Sequence, residues 1–188
     1  MSAGPGRTAG LPWPESAPTS GNISLRRFND CDIPMVMELS TDDYVPKTGT
    51  LPAHATEEQA RAWIDRQLSR AEHGKGFSFA IAVEGNPVAV GQVGLWLTGL
   101  AQGRASVGYA ISPSARGHGT AGRALRLAVK FAWTIPELHR IEALIEPWNA
   151  ASIRTAESAG FEREGVLRSY REIGGVRRDM AMFAVVRN

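Results

Sequence analysis

The chain has 188 residues, a formal net charge of +2, 43% apolar residues and 21% charged residues. That is enough chain for one domain with a full core. The weak charge argues against a dedicated nucleic-acid binder, and no apolar run approaches the about 18 residues that cross a bilayer.

Residues 1–21 are rich in Gly, Pro, Ser and Ala and read as a flexible tail ahead of a single domain over 22–188. Trp13, between two prolines, is its one distinctive feature. The start of the chain shows no secretory pattern. The single cysteine, Cys31, has no internal partner and suits a reducing, cytoplasmic setting. It reads as a small buried hydrophobe in a helical segment. The four histidines show no metal-ligand spacing, so no metal is expected.

The first strand is expected over Ile23–Phe28. Asn29 or Asp30 can cap the helix that follows, with Asp32 and Pro34 in its first turn and Met35, Val36 and Leu39 on its buried side. Thr41–Ala55 reads as a loop, in which Asp42, Asp43, Tyr44 and His54 are candidate substrate contacts. Thr56 and Gln59 form a capping box for a second helix. Its apolar positions recur at helical spacing from Ala60 to Ala71, and Gly74 ends it.

Three strands come next, over Phe77–Val83, Val88–Leu97 and Arg104–Ser112. The short connections make them an antiparallel meander. Pro113 and Ser114 stop the third strand. Ala121–Trp133 reads as a mostly buried helix, with Arg123, Arg126 and Lys130 as its polar stripe. A further strand is expected over His139–Pro147. Its alternation sets Ile141, Ala143 and Ile145 against Glu142, Leu144 and Glu146. Asn149 caps a helix over Ala150–Ala159 that Gly160 closes. Phe161–Glu172 and Val176–Val186 form a last hairpin around Gly174-Gly175. The strand before the Ala121 helix and the strand after it are joined by a crossover, so they should be parallel. The whole is an α/β (α+β) fold: a mixed, mostly antiparallel twisted sheet with helices on both faces.

The stretch Arg116-Gly117-His118-Gly119-Thr120-Ala121-Gly122 sits between a strand and a helix. Its glycines let the backbone bend and a ligand approach. The first turn of the helix offers unpartnered N–H groups at the positive end of the dipole. Such a bend suits a pyrophosphate, with Arg116 at its mouth. Gly117-x-Gly119-x-x-Gly122 also matches a dinucleotide fingerprint. The position of the motif, after a meander and with little chain to follow, speaks against a nicotinamide dehydrogenase.

Arg116-x-x-Gly119-x-Ala121, preceded by Gly108-Tyr109-Ala110-Ile111-Ser112-Pro113, resembles the acetyl-CoA loop of the GNAT family of N-acetyltransferases. Asn149-x-x-Ser152, Ala159-Gly160-Phe161 and Glu164-Gly165 resemble the RimJ/RimL-type branch, which acetylates ribosomal-protein N-termini. The resemblance implies a GNAT fold over about residues 23–187 and acetyl-CoA as the coenzyme. It implies that the backbone of Tyr109, Ala110, Ile111 and Ser112 bonds the pantetheine arm. Arg116, Gly117, His118, Gly119, Thr120 and Ala121 would hold the pyrophosphate by their amides, with Asn149 at the pantetheine region and Ser152 near the sulfur.

Three residues are expected to act in catalysis. The resemblance implies Glu164 as the general base, with Glu142 and Glu146 as rivals, and Ser152 as the group that protonates the leaving thiolate, with Tyr109 as the alternative acid. An N–H between Tyr109 and Ile111 would bind the oxyanion. No nucleophile suggests itself, so transfer should be direct. The acceptor is an amine, either a protein N-terminus or a small molecule, and a homodimer is compatible with the chain. A non-catalytic acyl-CoA-binding module on the same fold is the alternative.

Overall fold

The computed structural model describes residues 10–187. Eight strands form one sheet in the order β1-β2-β3-β4-β5-β6-β8-β7. They are β1 (Thr19–Ser20), β2 (Ile23–Arg26), β3 (Gly76–Val83), β4 (Gly91–Gly99), β5 (Arg104–Ile111), β6 (Arg140–Ile145), β7 (Glu162–Ile173) and β8 (Val176–Val186). The helices are α1 (Ile33–Ser40), α2 (Val45–Thr48), α3 (Glu57–Glu72), α4 (Thr120–Ala132) and α5 (Ala150–Ser158). β5 and β6 are parallel and every other adjacent pair is antiparallel. The βα–β crossover expected around the glycine-rich bend is therefore present, and a series of parallel βαβ units is not.

Alternation along the strands divides the core in two. Phe77, Phe79, Ile81, Val93, Leu95, Val107 and Ile141 pack against Leu125, Ala128 and Phe131 of α4. Ala80, on the opposite face, packs with Met35, Val36 and Leu39 of α1 and Trp63 and Ile64 of α3. Among the described residues, no helix is long and apolar enough to cross a membrane.

Three expectations need correction. The tail assigned to residues 1–21 is in part built into the fold, although residues 1–9 lie outside the described residues. Trp13 meets Phe77 and Phe79 edge-on, at ring separations of 5.6 and 5.2 Å, with the Arg27 guanidinium 5.0 Å from its ring. Leu11 N–H bonds the Ala71 carbonyl, and Thr19–Ser20 pairs with β2. A flanking proline pair and low hydropathy concealed a docked aromatic. Thr41–Ala55 is not all loop, since Val45–Thr48 makes the single helical turn of α2. Cys31 is exposed, in a short 3-10 turn over Asp30–Asp32.

That turn carries a buried polar anchor. Asp32 is fully buried. Its carboxylate accepts two parallel bonds from Arg26, both 2.7 Å, one from Asn29 N–H and one from Ala89 N–H. β2, the entry to α1 and the approach to β4 are thus tied at one group. Burial pushes the carboxyl up, but Arg26 and the two backbone amides outweigh it and hold it below the usual carboxylate range.

Asp32→Asn should cost about 3 kcal/mol, the scale for breaking a buried pair. Because the folded-state pKa of Asp32 is depressed, its contribution is fully present above the unfolded value of about 3.9 and is lost as pH falls below it. Urea titrations from pH 7 to pH 3 should show the gap between wild type and variant closing at the acid end. A gap that stays constant with pH would contradict this account.

Candidate active site

The site begins where the sheet parts. β4 accompanies β5 as far as Ile111, but β5 pairs with β6 only from Arg104↔Arg140 to Ser106↔Glu142. Beyond that point the two strands diverge. Val107–Ile111 on one side and Ala143–Ile145 on the other border a cleft of about 1250 Å³.

Backbone alternation decides which groups of β5 are free there. Ser112 donates its N–H to Val90 O at 3.0 Å. Since N–H and C=O turn to opposite edges at successive residues of a strand, Gly108 and Ala110 also face β4. Tyr109 and Ile111 turn theirs to the cleft, where β6 no longer meets them. Of the four residues expected to bond a pantetheine arm, Tyr109 and the N–H of Ile111 thus offer backbone groups, whereas Ala110 and Ser112 face β4 and the Ile111 carbonyl is taken by Arg116.

The bend after β5 behaves as a set of unfilled donors. Gly117 and Gly119 have φ of +88° and +67°, a region that favours glycine. Gly119 caps α4 without any side-chain hydrogen bond, so the first amides of the helix lack protein partners. His118 is exposed and Thr120 buried. Gly122 has a different role from the other two glycines. A Cβ there would come within 2.7 Å of Ser158 Oγ, so its lack of a side chain lets α4 and α5 approach.

Arg116 does not stand free at the mouth of the bend. Its Nε donates to Ile111 O at 3.0 Å, and Nη2 donates to Asp42 Oδ2 at 2.7 Å. Oδ1 of Asp42 in turn accepts the Tyr44 and Val45 amides. Burial pushes the Asp42 carboxyl up. The Val45 amide, Arg116 and the Tyr44 amide together hold it below its ordinary range. Arg116 therefore fastens the bend to the segment between α1 and α2, a role that motif spacing alone does not reveal.

Asn149 caps α5 by accepting the Ser152 N–H at 3.0 Å. The Ser152 hydroxyl borders the cleft and bonds no described protein atom. The Tyr109 hydroxyl is buried and also without a partner. Both residues line the same cleft.

The glutamates separate. Glu142 lies at the parting of β5 and β6 and lines the cleft. Its Oε1 meets Arg140 Nε at 2.7 Å and Arg104 at 3.8 Å, while no described residue bonds Oε2. Glu164 is exposed, lies outside the cleft lining, and is held by both arms of the Arg140 guanidinium. Arg140 depresses its pKa. A bulge in β7 between Arg163 and Gly165 turns it toward Arg140. This geometry does not suit the base role expected of Glu164. Glu146 is buried, 3.6 Å from Arg178. Burial and the Glu146 carboxylate push the Tyr44 phenol well above its usual range, and the Tyr44 ring meets Trp148 edge-on at 5.3 Å.

The parted parallel pair, followed by a bend of free amides at a helix start, defines an acyltransferase of the GNAT type. An acetyltransferase (GNAT) domain model matches residues 22–162, and the chain belongs to that family of N-acetyltransferases. The N-acetyltransferase p20 of Bacillus licheniformis, itself uncharacterized, is 28% identical over 165 residues, covering 88% of this chain and 93% of that protein. Mycobacterium smegmatis RimJ, solved in complex with CoA-disulfide, superposes with a TM-score of 0.72 at 27% identity, covering 87% of this chain and 81% of that one. RimL, a ribosomal L7/L12 alpha-N-protein acetyltransferase solved with coenzyme A, gives 0.75 at 17% identity, covering 90% and 97%.

Arg116→Gln should loosen the α1–α2 segment without unfolding the protein. The pair is half exposed, so the loss is on the order of 1 kcal/mol. Hydrogen exchange should show the Tyr44 and Val45 amides opening about fivefold faster while α3 is unaffected. Unchanged exchange at both amides would contradict the tether.

Proposed function

We propose that this chain transfers the acetyl group of acetyl-CoA directly to a primary amine within a ternary complex. The observation that carries this reading is the halt in β5–β6 pairing after Ser106 and Glu142. It leaves an extended edge of backbone groups leading to the free amides around Gly119.

The residues present fit coenzyme A. The Tyr109 and Ile111 edge suits the amides of a pantetheine arm, which would add to β5 as a short strand. The amides from Gly117 to Ala121 suit a pyrophosphate. When bound, the coenzyme supplies an acetyl thioester at the parting of the strands. Asn149 holds the first turn of α5 so that Ser152 faces that point.

Three protein groups then have distinct tasks. An N–H on the cleft side of β5, from Tyr109 or Ile111, stabilises the developing oxyanion. Ser152 Oγ donates a proton to the departing thiolate, with the Tyr109 hydroxyl as a second donor on the same side. Glu142 receives the proton from the amine through its unbonded Oε2. A weak base suffices for an α-amine, whose pKa is about 8, and less well for a lysine side chain at about 10.4. This favours an N-terminal or other α-amine over a lysine. The RimJ and RimL likeness supports the same preference, while a small-molecule amine stays within the same chemistry.

Gly119→Glu should weaken coenzyme binding by about a hundredfold or more, because a carboxylate would face the pyrophosphate. The left-handed backbone at Gly119 costs a non-glycine residue about 1–2 kcal/mol, but a Cβ there meets no atom within 4 Å, so the protein should remain folded. Calorimetry with coenzyme A, beside circular dichroism, reads both quantities; unaltered affinity would refute the assignment of the bend. Ser152→Ala should lower kcat about a hundredfold with little change in coenzyme affinity. Equal turnover in a thiol-release assay would remove Ser152 from the reaction.

A further inference from the structure

On the α3 side of the cleft an arginine is held in place with no carboxylate to neutralise it. Arg70, in the last turn of α3, lines the cleft and has no salt-bridge partner among the described residues. Its position is built by a buried polar chain. Gln67 Nε2 donates to Trp63 O at 3.2 Å, and Ser78 Oγ donates to Gln67 Oε1 at 3.3 Å. Arg70 Nη1 donates to Ser78 Oγ at 2.9 Å. Gln67 and Ser78 are 1% and 0% exposed. No described residue accepts from Nε or Nη2 of Arg70.

The guanidinium also lies 5.1 Å from the centre of the Trp96 ring. That ring lies over two paired glycines. Cβ atoms built on Gly94 and Gly108 would approach Cη2 of Trp96 to 2.8 and 3.2 Å. Glycine at both positions lets the indole lie flat on the sheet. It leads from Arg70 to Gly108, the residue just before the open Tyr109 edge. Glu142, paired with Ser106, stands on this same face.

We propose that Arg70 is the acceptor-binding residue and that it selects amines carrying a carboxylate, which its free Nε and Nη2 engage as a fork. This inference rests on the acetyltransferase reading and narrows its acceptor class. A cation withdrawn from water without a counter-ion is costly, and burial alone already pulls its pKa down. A ligand carboxylate reverses that cost through two parallel charge-assisted bonds. The Trp96 face supports the cation from behind. The amine then lies toward Glu142 and the thioester, with the carboxylate toward α3.

The test uses matched probes that differ in one group. Peptides beginning Ser-Asp and Ser-Glu are compared with Ser-Asn and Ser-Gln, and free glycine, serine and glutamate with their α-amides. Thiol release is followed in wild type, Arg70→Gln and Arg70→Lys. Wild type should favour the carboxylate member of at least one pair by about tenfold or more in kcat/KM, expressed through KM, the scale of a hydrogen bond to a charged group. In Arg70→Gln that ratio should fall toward one, and Arg70→Lys should recover part of it. Calorimetry of N-acetyl-serine, N-acetyl-aspartate and N-acetyl-glutamate, each against its amide, on the coenzyme-loaded protein reads the same preference without turnover.

Equal binding and turnover of both members of every pair would overturn the proposal. So would an absence of carboxylate binding, or a ratio that survives Arg70→Gln. Failure of coenzyme A to bind, or of any amine to release thiol, would count against the acetyltransferase reading instead, and the same product calorimetry run on the coenzyme-free protein would still judge Arg70.

Discussion

Everything distinctive in this molecule follows from strand pairing that stops halfway. β5 and β6 share a ladder only to Ser106 and Glu142. A buried backbone group without a partner is costly, so an interrupted ladder inside a sheet is tolerated where solvent or a ligand can complete it. The opening leaves extended backbone with alternating donors and acceptors on the edge away from β4. The covalent path from β5 through the bend and α4 to β6 keeps the two lips in register.

The division of labour between sheet faces follows from the same alternation. Odd-numbered residues of β4 and β5 pack against α4 and build the larger core, while even-numbered ones face α3. In the proposed reading, coenzyme contacts fall to backbone atoms and helix starts on the α4 side. On the α3 side the groups proposed to meet the acceptor are side chains: Trp96, Arg70 and Glu142. Backbone contacts tolerate substitution, whereas side-chain contacts change with each residue, so one scaffold can keep its coenzyme and change its acceptor. Arg116 joins the two regions, since its guanidinium touches both the last carbonyl of β5 and the Asp42 segment.

Much of the fold was legible in the residues themselves. Alternation located β3 to β6, the Thr56–Gln59 box located the start of α3, and the crossover argument yielded the one parallel pair. The bend was legible because glycine at Gly117 and Gly119 reports a left-handed backbone. Other features depend on distances between parts of the chain far apart in sequence. Trp13 sits in a stretch of tail-like composition, and only the aromatic pair of β3 explains its docking. The burial of Asp32 depends on Arg26 and Ala89, and the removal of Glu164 from the cleft depends on Arg140 and a bulge. A local pattern can nominate a carboxylate for chemistry but cannot show which arginine already holds it.

Trp13 and the strand it introduces bear on how the two halves of the sheet differ. β1 to β5 are clasped by α1, α3 and α4 and riveted by the N-terminal segment. β6 to β8 join them through three rungs of ladder, helped by α4 and α5. A sheet torn partway along one seam yields first at the tear. Thermal breathing should therefore concentrate in the lip formed by β6 and the following turn, while the β5 lip stays stiff, much as a clothes-peg flexes at its jaw and not at its spring.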